Sequence, residues 1–473
     1  MEGYIVSLII FTSIFSLFGL GLNLQWGFTG LINFGHVAFM AVGAYFVALL
    51  TLPGYLQKLP TNMLENFTWM QQSEAMSGFL QRIQQVMPEQ VPIPIAVLIG
   101  AIAAAFLGLL IGLSTLKLRE DYLAIVTIGV SEIIRLIALN EEWLTEGAFG
   151  VQRFSLPLSN LNPNFFTRIV MIALLTAVLG IALWQLWKHA LSRIKTAPSQ
   201  AIIKGSVILI GYVGSLLLLL YGIGLSAQQL KLSNALPPWL LGISMIAVFA
   251  AVCALYIWLS RKFFPKLSAL GASSTLVSVI ACTVLGVWIY GFLATALYNY
   301  SRNPTKTGLM LISLLVLAVI FWALQRLVSS PWGRVLKAIR EDEEVAKALG
   351  KNVFWYKLQS LMLGGAIAGI AGALYAWQLT TIYPDNFQPL VTFNAWTIVV
   401  LGGAGNNVGT LLGAAIFWAY QTLTRFVLAD IIPLDDARLG AFRIMIIGLL
   451  LMVLMIWRPQ GILGKKEELT LGR

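Results

Sequence analysis

Ten charged side chains fall within the 24 residues from Arg334 to Lys357, in a 473-residue chain that carries only 31 basic and 20 acidic residues. Lys337–Glu341, Arg340–Glu344 and Glu343–Lys347 are each four apart, a spacing that pairs opposite charges along one helix. With Gly350 as a C-terminal stop, the segment predicts a single helix over 334–349. Val335, Ile339, Ala346 and Leu349 supply a partial apolar stripe, and Trp355 reads as an interfacial anchor. Charge at this density between long apolar runs implies a water-exposed helix shaped to meet a partner; taken alone, it is also consistent with a solvated loop. Glu132 and Arg135, three apart inside an apolar run, share a helical face. Ionisable groups within a membrane are costly and usually functional, although a self-neutralising pair that positions its helix fits equally well. Asn23, Asn33, His36 and Asn406 stand in glycine-interrupted apolar stretches. Neutral polar groups there either line a route through the protein or, the commoner fate, complete buried hydrogen bonds.

Other chemistry is thin. His36 and His189 are too far apart in sequence to suggest a metal constellation. Cys253 and Cys282 both lie in apolar runs, against a disulfide framework. There is no G-x-x-x-x-G-K-[ST] phosphate loop, so the chain reads as a non-enzyme, without a cofactor or metal of its own.

The elements that position these residues are set by composition. Hydrophobic residues make up 58% of the chain and charged ones 11%, with a mean hydropathy of +0.83, so lipid is the solvent for much of the surface. The fold expected is all-α, a polytopic transmembrane bundle with about 10–12 apolar segments, some broken or re-entrant. They lie near 4–24, 28–50, 93–116, 122–139, 168–187, 203–224, 237–260, 270–299, 308–328, 356–382, 394–427 and 441–458. The N-terminus lacks a positive n-region and reads as a retained span. The net charge of +11 comes from basic residues flanking the spans, which argues against nucleic acid. Basic interruptions (Lys117/Arg119, Lys188/Arg193/Lys195/Lys204, Arg261/Lys262/Lys266, 331–357, Arg458/Lys465/Lys466) alternate with acidic ones (Glu65/Glu74/Glu89, Glu141/Glu142/Glu146, Asp385, Asp430/Asp435/Asp436). That places the basic loops and the C-terminus in the cytoplasm; Arg302 and Lys306 depart from the scheme. Asp385 and Asp430 both belong outside with one apolar stretch between them, broken by Gly402, Gly403, Gly405, Asn406, Asn407 and Gly409. A re-entrant hairpin satisfies both ends, and a kinked span is the alternative; irregular backbone survives in a bilayer only under protein or beside water. Residues 51–92 read as an external loop with some helix.

The segment EVAKALG, Glu344 to Gly350, is similar to the cytoplasmic-loop core of ABC importer permeases, with Val345 in place of an alanine. The longer string SPWGRVLKAIREDEEVAKALGKNVFWYKLQSLMLGGAIAGIAGALYA resembles branched-chain amino-acid permeases of the LivM type. So do NLQWGFTGLINFGHVAFMAVGAY, LREDYLAIVTIGVSEIIRL, LTEGAFGV, IVVLGGAGNNVGTLLGA and WRPQGILG, in the family's order. The resemblance implies an importer subunit in the bacterial inner membrane, paired with a second related permease. Two cytoplasmic ATPases that bind ATP and Mg would drive it, and a periplasmic binding protein would deliver substrate. Arg334, Arg340, Glu344, Ala346 and Gly350 are then the contacts to the ATPase, and Asn23, Asn33, His36, Glu132, Arg135 and Asn406 the pathway candidates.

Organisation follows: N-terminal spans over 1–50, the external loop 51–92, core spans 93–187, additional spans within 188–307, and C-terminal core spans 308–473. The blocks leave 203–300 without an assigned role. Substrates expected from the family are branched-chain or neutral hydrophobic amino acids. A urea or short-chain amide permease is the alternative within the family, and an ion-coupled secondary transporter the alternative outside it.

Overall fold

The computed structural model describes residues 2–67, 74–116, 120–159, 161–194, 206–211, 214–215, 270–431, 436–457 and 460–464. The additional spans expected near 203–224 and 237–260 lie largely outside them, as do Lys117, Arg119, Lys195, Lys204, Cys253, Arg261, Lys262, Lys266, Asp435, Arg458, Lys465 and Lys466. The chain forms two compact units: Met1–Asn164 with Asn299–Tyr420 and Ile447–Arg473, and Phe165–Tyr298 with Gln421–Ile446.

The first unit opens with α1 (Glu2–Leu22), which runs into a π-helical turn, Asn23–Phe28, and is followed by α2 (Val37–Leu50). Next come α3 (Tyr55–Asn66), α4 (Glu74–Val86), α5 (Ile93–Thr115) and α6 (Glu120–Asn140). The span expected from residue 28 therefore begins only at Val37, and 51–92 holds two helices. Of these, α3 is tied down where Tyr55 Oη donates to the Leu144 carbonyl at 2.5 Å. In the second unit, α7 (Phe165–Ile194) packs along α8 (Leu270–Tyr298). The chain then re-enters the first unit as α9 (Pro304–Ser329), α10 (Pro331–Glu341), α11 (Glu343–Ala348), α12 (Val353–Leu379) and α13 (Pro389–Gly402). Two long helices follow, α14 (Asn407–Ile431) and α15 (Asp436–Trp457). The only strands among the described residues are β1 (Val151–Gln152) and β2 (Thr381–Ile382), paired antiparallel with Val151 opposite Ile382.

Seven helices among the described residues are long and apolar enough to cross a membrane, or nine if two bent pairs each count as one span. These pairs are α2 with α3, bent by 106°, and the segment through α13 with α14, bent by 118°. The second break is where a hairpin turn was expected, at the glycines between Gly402 and Asn407; Gly403 has φ +111° and Gly405 φ +77°.

At the centre of the first unit is α12, whose apolar stretch is 72% buried, against 11% for those of α7 and α8. Lipid is as apolar as leucine, so helices in a bilayer associate through close packing rather than hydrophobic transfer. The run GGAIAGIAGALYA makes that packing possible. A Cβ on Gly372 would overlap the Met40 carbonyl of α2, and one on Gly43 would overlap the Gly369 backbone. The misfit of Lys306 with the charge alternation also has a local cause. Its ammonium donates to the Gln378 carbonyl at 2.5 Å and to Gln378 Oε1 at 3.2 Å, placing a cation at the negative end of α12.

Candidate functional site

The charged segment is two helices, not the single one over 334–349 that its spacing predicts. Asp342 is extended (φ −157°, ψ 110°), and its side chain accepts from the backbone N–H groups of Glu344 and Val345 at 2.9 and 3.1 Å. An aspartate N-cap satisfies donors that would otherwise be orphaned, and here it starts α11 by interrupting α10. At the far end Gly350 N donates to the Lys347 carbonyl at 2.9 Å and Lys351 N to Ala346 at 3.2 Å, a Schellman closure with Gly350 at φ +74°. Glycine adopts that conformation without steric cost.

The break re-sorts the charges. Glu343 and Lys347 pair at 3.0 Å as expected, and Glu344 joins Lys347 at 3.1 Å. Arg340 and Glu344 now belong to different helices, so their four-residue spacing no longer places them on one face. Lys357, at the start of α12, reaches Glu343 at 2.5 Å. Burial pushes the Glu343 carboxyl up, but hydrogen bonds from Lys357 and Lys347 outweigh it and hold the group below the ordinary carboxylate range. The apolar stripe is likewise split. Ile339, Ala346 and Val353 form a small core with Val335 against it, whereas Leu349 is 73% and Val345 55% exposed. Arg334, Glu344 and Gly350 are exposed, Ala346 is buried, and Arg340 is half-buried.

Arg340 turns inward: its guanidinium donates to the Gly27 carbonyl at the end of the π-helical turn, and its stem lies against Gly30. Lys337, one turn earlier, sits 5.6 Å from the centroid of the Phe28 ring. Leu336 is wholly buried in one apolar cluster with Leu20, Leu24 and Phe28. α10 is thus seated directly under the end of the first broken segment.

That segment is held by a buried polar lattice. Asn23 donates to Asn407 Oδ1 at 3.1 Å and accepts from Gly405 N at 2.9 Å, so it bridges to the second break. Asn407 in turn donates to Gln325 Oε1 at 3.2 Å. Asn33 donates to Gln25 Oε1 at 2.9 Å, and Gln25 donates to the Leu361 carbonyl at 3.1 Å. The Thr29 and Ser360 hydroxyls lie 2.7 Å apart and within 2.9 and 3.1 Å of the Leu24 carbonyl, so one donates to the carbonyl and the other to its neighbouring hydroxyl. His36, fully buried, places Nε2 3.2 Å from the Phe18 carbonyl and stacks on the Phe18 ring. Asn406 caps the start of α14, accepting from Val408 N and Gly409 N at 3.0 and 3.2 Å, and donates to the Leu463 carbonyl at 2.9 Å. The two glycine-interrupted segments, far apart in sequence, therefore meet at one junction in which Asn23, Asn33, His36 and Asn406 each have protein partners. Gln25, Thr29, Gln325 and Ser360 escaped the sequence reading, and Asn407 entered it only as part of the second break. Their only signal is a polar residue inside an apolar run.

Glu132 and Arg135 stand apart from the junction. Their side chains pair at 2.5 Å, and Arg135 also reaches Asp385 Oδ1 at 2.8 Å, which ties α6 to the turn before α13. His189 falls outside the side chains described.

Apolar helices broken at glycines, sealed by buried polar contacts and seated on a charged amphipathic helix pair make this a multi-pass helical membrane protein. The chain belongs to the family described as branched-chain amino acid transport system / permease component, whose model matches residues 4–190 and 203–455. The second matched stretch takes in the region 203–300. The chain is 23% identical over 458 residues to the high-affinity branched-chain amino acid transport system permease protein LivM of Salmonella typhimurium, covering 97% of this chain and 69% of that one. The probable LivM of Methanocaldococcus jannaschii is 26% identical over 301 residues, 57% of this chain and 85% of its own length. A LivH permease of Salmonella typhimurium is 27% identical over 220 residues, 44% of this chain and 66% of its own. No solved structure matches the chain.

Proposed function

We propose that this protein is a transmembrane permease subunit of an ABC importer that moves branched-chain or other neutral hydrophobic amino acids inward across the bacterial inner membrane. The observation that carries this is family membership along nearly the whole chain, with relatives named as branched-chain amino acid permeases. A second, related permease, two ATPase subunits holding ATP and Mg, and a periplasmic binding protein complete the assembly; the C-terminus is cytoplasmic. The ATPase docks on α11 and the Gly350 turn. Supporting that reading, Val345 and Leu349 are exposed, a Cβ at Gly350 would meet nothing within 4 Å, and the helix is capped at both ends. Arg334 and Glu344 flank this surface. The pathway runs beside the junction of the two broken segments, where irregular backbone is already covered by protein.

The test is purification from the native membrane followed by uptake in vesicles. A second permease and ATPase subunits should co-elute, and leucine uptake should require ATP. Gly350→Leu, which strains a turn at φ +74°, and Glu344→Arg, which removes a charged group whose hydrogen bonds are worth about 1.5–3 kcal/mol, should each cut uptake by about tenfold or more while insertion is unchanged. Uptake that follows an ion gradient and ignores ATP overturns the importer reading. Normal uptake by both variants overturns the docking surface.

A further inference from the structure

From the seat of α10 we infer that Arg340 is the positioning residue that transmits movement of the charged helix pair to the broken transmembrane segments, by gripping the Gly27 carbonyl, and is not itself an ATPase contact. This rests on the importer reading above.

Four observations support it. Where a helix ends, its last carbonyls need partners, and in the π-helical turn those of Leu24, Gln25, Trp26 and Gly27 each have one. The Leu24 carbonyl accepts from the Thr29–Ser360 hydroxyl pair, that of Gln25 from Leu31 N at 2.9 Å, and that of Trp26 from Gly30 N at 2.9 Å. The Gly27 carbonyl accepts from Arg340. In this set Arg340 alone comes from the charged helix pair, and a cation at a helix C-terminus also meets the negative end of the dipole.

Second, Gly27 is where the other break touches the first. A Cβ there would overlap Asn23 Oδ1 and the Gly405 nitrogen, and Asn23 itself holds Gly405 and Asn407. A push on the Gly27 carbonyl therefore reaches both broken segments through contacts already in place. Third, the grip is flanked: Leu336 is wholly buried with Leu24 and Phe28, and Lys337 lies over Phe28, so α10 and the turn are packed to move as one body. Fourth, Arg340 is half-buried, while the exposed groups Glu344, Val345, Leu349 and Gly350 sit beyond the Asp342 break. Arg334, six residues earlier on α10, is exposed as well, so α10 turns its Arg340 face to the membrane segments while its Arg334 face and α11 point outward.

The experiment uses the whole assembly in membranes, with Cys253 and Cys282 replaced by serine and one reporter cysteine at Trp26, which is half-buried beside the grip. Maleimide labelling is followed with and without ATP plus vanadate, beside ATP hydrolysis and ATPase co-purification. In the parent chain, nucleotide should change the labelling rate. In Arg340→Met the ATPases should stay bound and hydrolyse ATP, while the nucleotide-induced change falls by about tenfold, the worth of a charged hydrogen bond. Arg340→Lys, which still donates to a carbonyl, should restore much of it. If Arg340→Met does not insert, Arg340→Gln takes its place, with a reduced response expected. A full response in Arg340→Met, or in Arg340→Gln where that is used, overturns the inference. So does loss of the ATPases from either, which would make Arg340 a docking contact. A parent chain with no nucleotide response overturns the importer reading and the inference together, and is told apart by its occurring without any substitution at Arg340.

Discussion

At the residue scale, the polar groups that look most chemical in sequence are here the ones that hold irregular backbone together. Asn23 is the clearest case. It is wholly buried, and its amide serves both Gly405 and Asn407. Removing one partner from a buried polar pair leaves the other unsatisfied, which costs about 1–3 kcal/mol per group. Asn23→Ala is therefore expected to lower the thermal midpoint of the detergent-purified protein by several degrees, through loss of the seam between the two breaks. Asn23→Asp, which keeps the acceptor for Gly405 N but buries a carboxylate against Asn407 Oδ1, should be destabilised at least as much. Equal midpoints for the alanine variant and the parent would show that the junction does not depend on this amide. That Asn23 stands in a broken segment was legible from the sequence. Its partners, 382 and 384 residues away, were not, because no local pattern pairs residues at that separation.

At the element scale, the charged region illustrates how one residue overrides a periodicity. Three opposite-charge pairs at four-residue spacing suggest one continuous helix over 334–349, yet Asp342 caps a new start and divides it. The capping preference of aspartate was present in the sequence; what local spacing lacks is a way to weigh it against continued helix. The division moves Arg340 toward Gly27 and leaves α11 anchored by Glu343, between Lys347 and Lys357. Because the Glu343 carboxyl is held below its ordinary range, its contribution is fully present above the unfolded-state value and is lost as pH falls through the folded-state one. Hydrogen-exchange protection of 343–349, corrected for intrinsic exchange, should accordingly drop as the medium becomes acidic enough to protonate Glu343. Glu343→Gln should be less protected near neutrality and flat across that range. An identical pH profile in variant and parent would rule out Glu343 as the anchor.

At the scale of the whole molecule, orientation is the property open to direct test. The alternation of basic and acidic interruptions places Glu65 and Glu142 outside and Lys347 inside. Single cysteines at these positions, in a background lacking Cys253 and Cys282, should react with an impermeant maleimide in intact cells at the first two sites. At Lys347 they should react only after permeabilisation; the reverse pattern would invert the topology. Composition and apolar run length by themselves determined that this chain is a multi-pass helical membrane protein, since a bilayer admits few ways to satisfy a backbone. Motif order pointed to the permease family, and glycine clusters marked both breaks. Only the tertiary structure decided that the breaks meet, that α12 is the central helix, and that Arg340 faces the membrane segments. Those facts depend on which helices approach closely enough for Gly43, Gly372 and Gly27 to exclude a Cβ, and close approach is a relation between distant segments that no single stretch of sequence encodes.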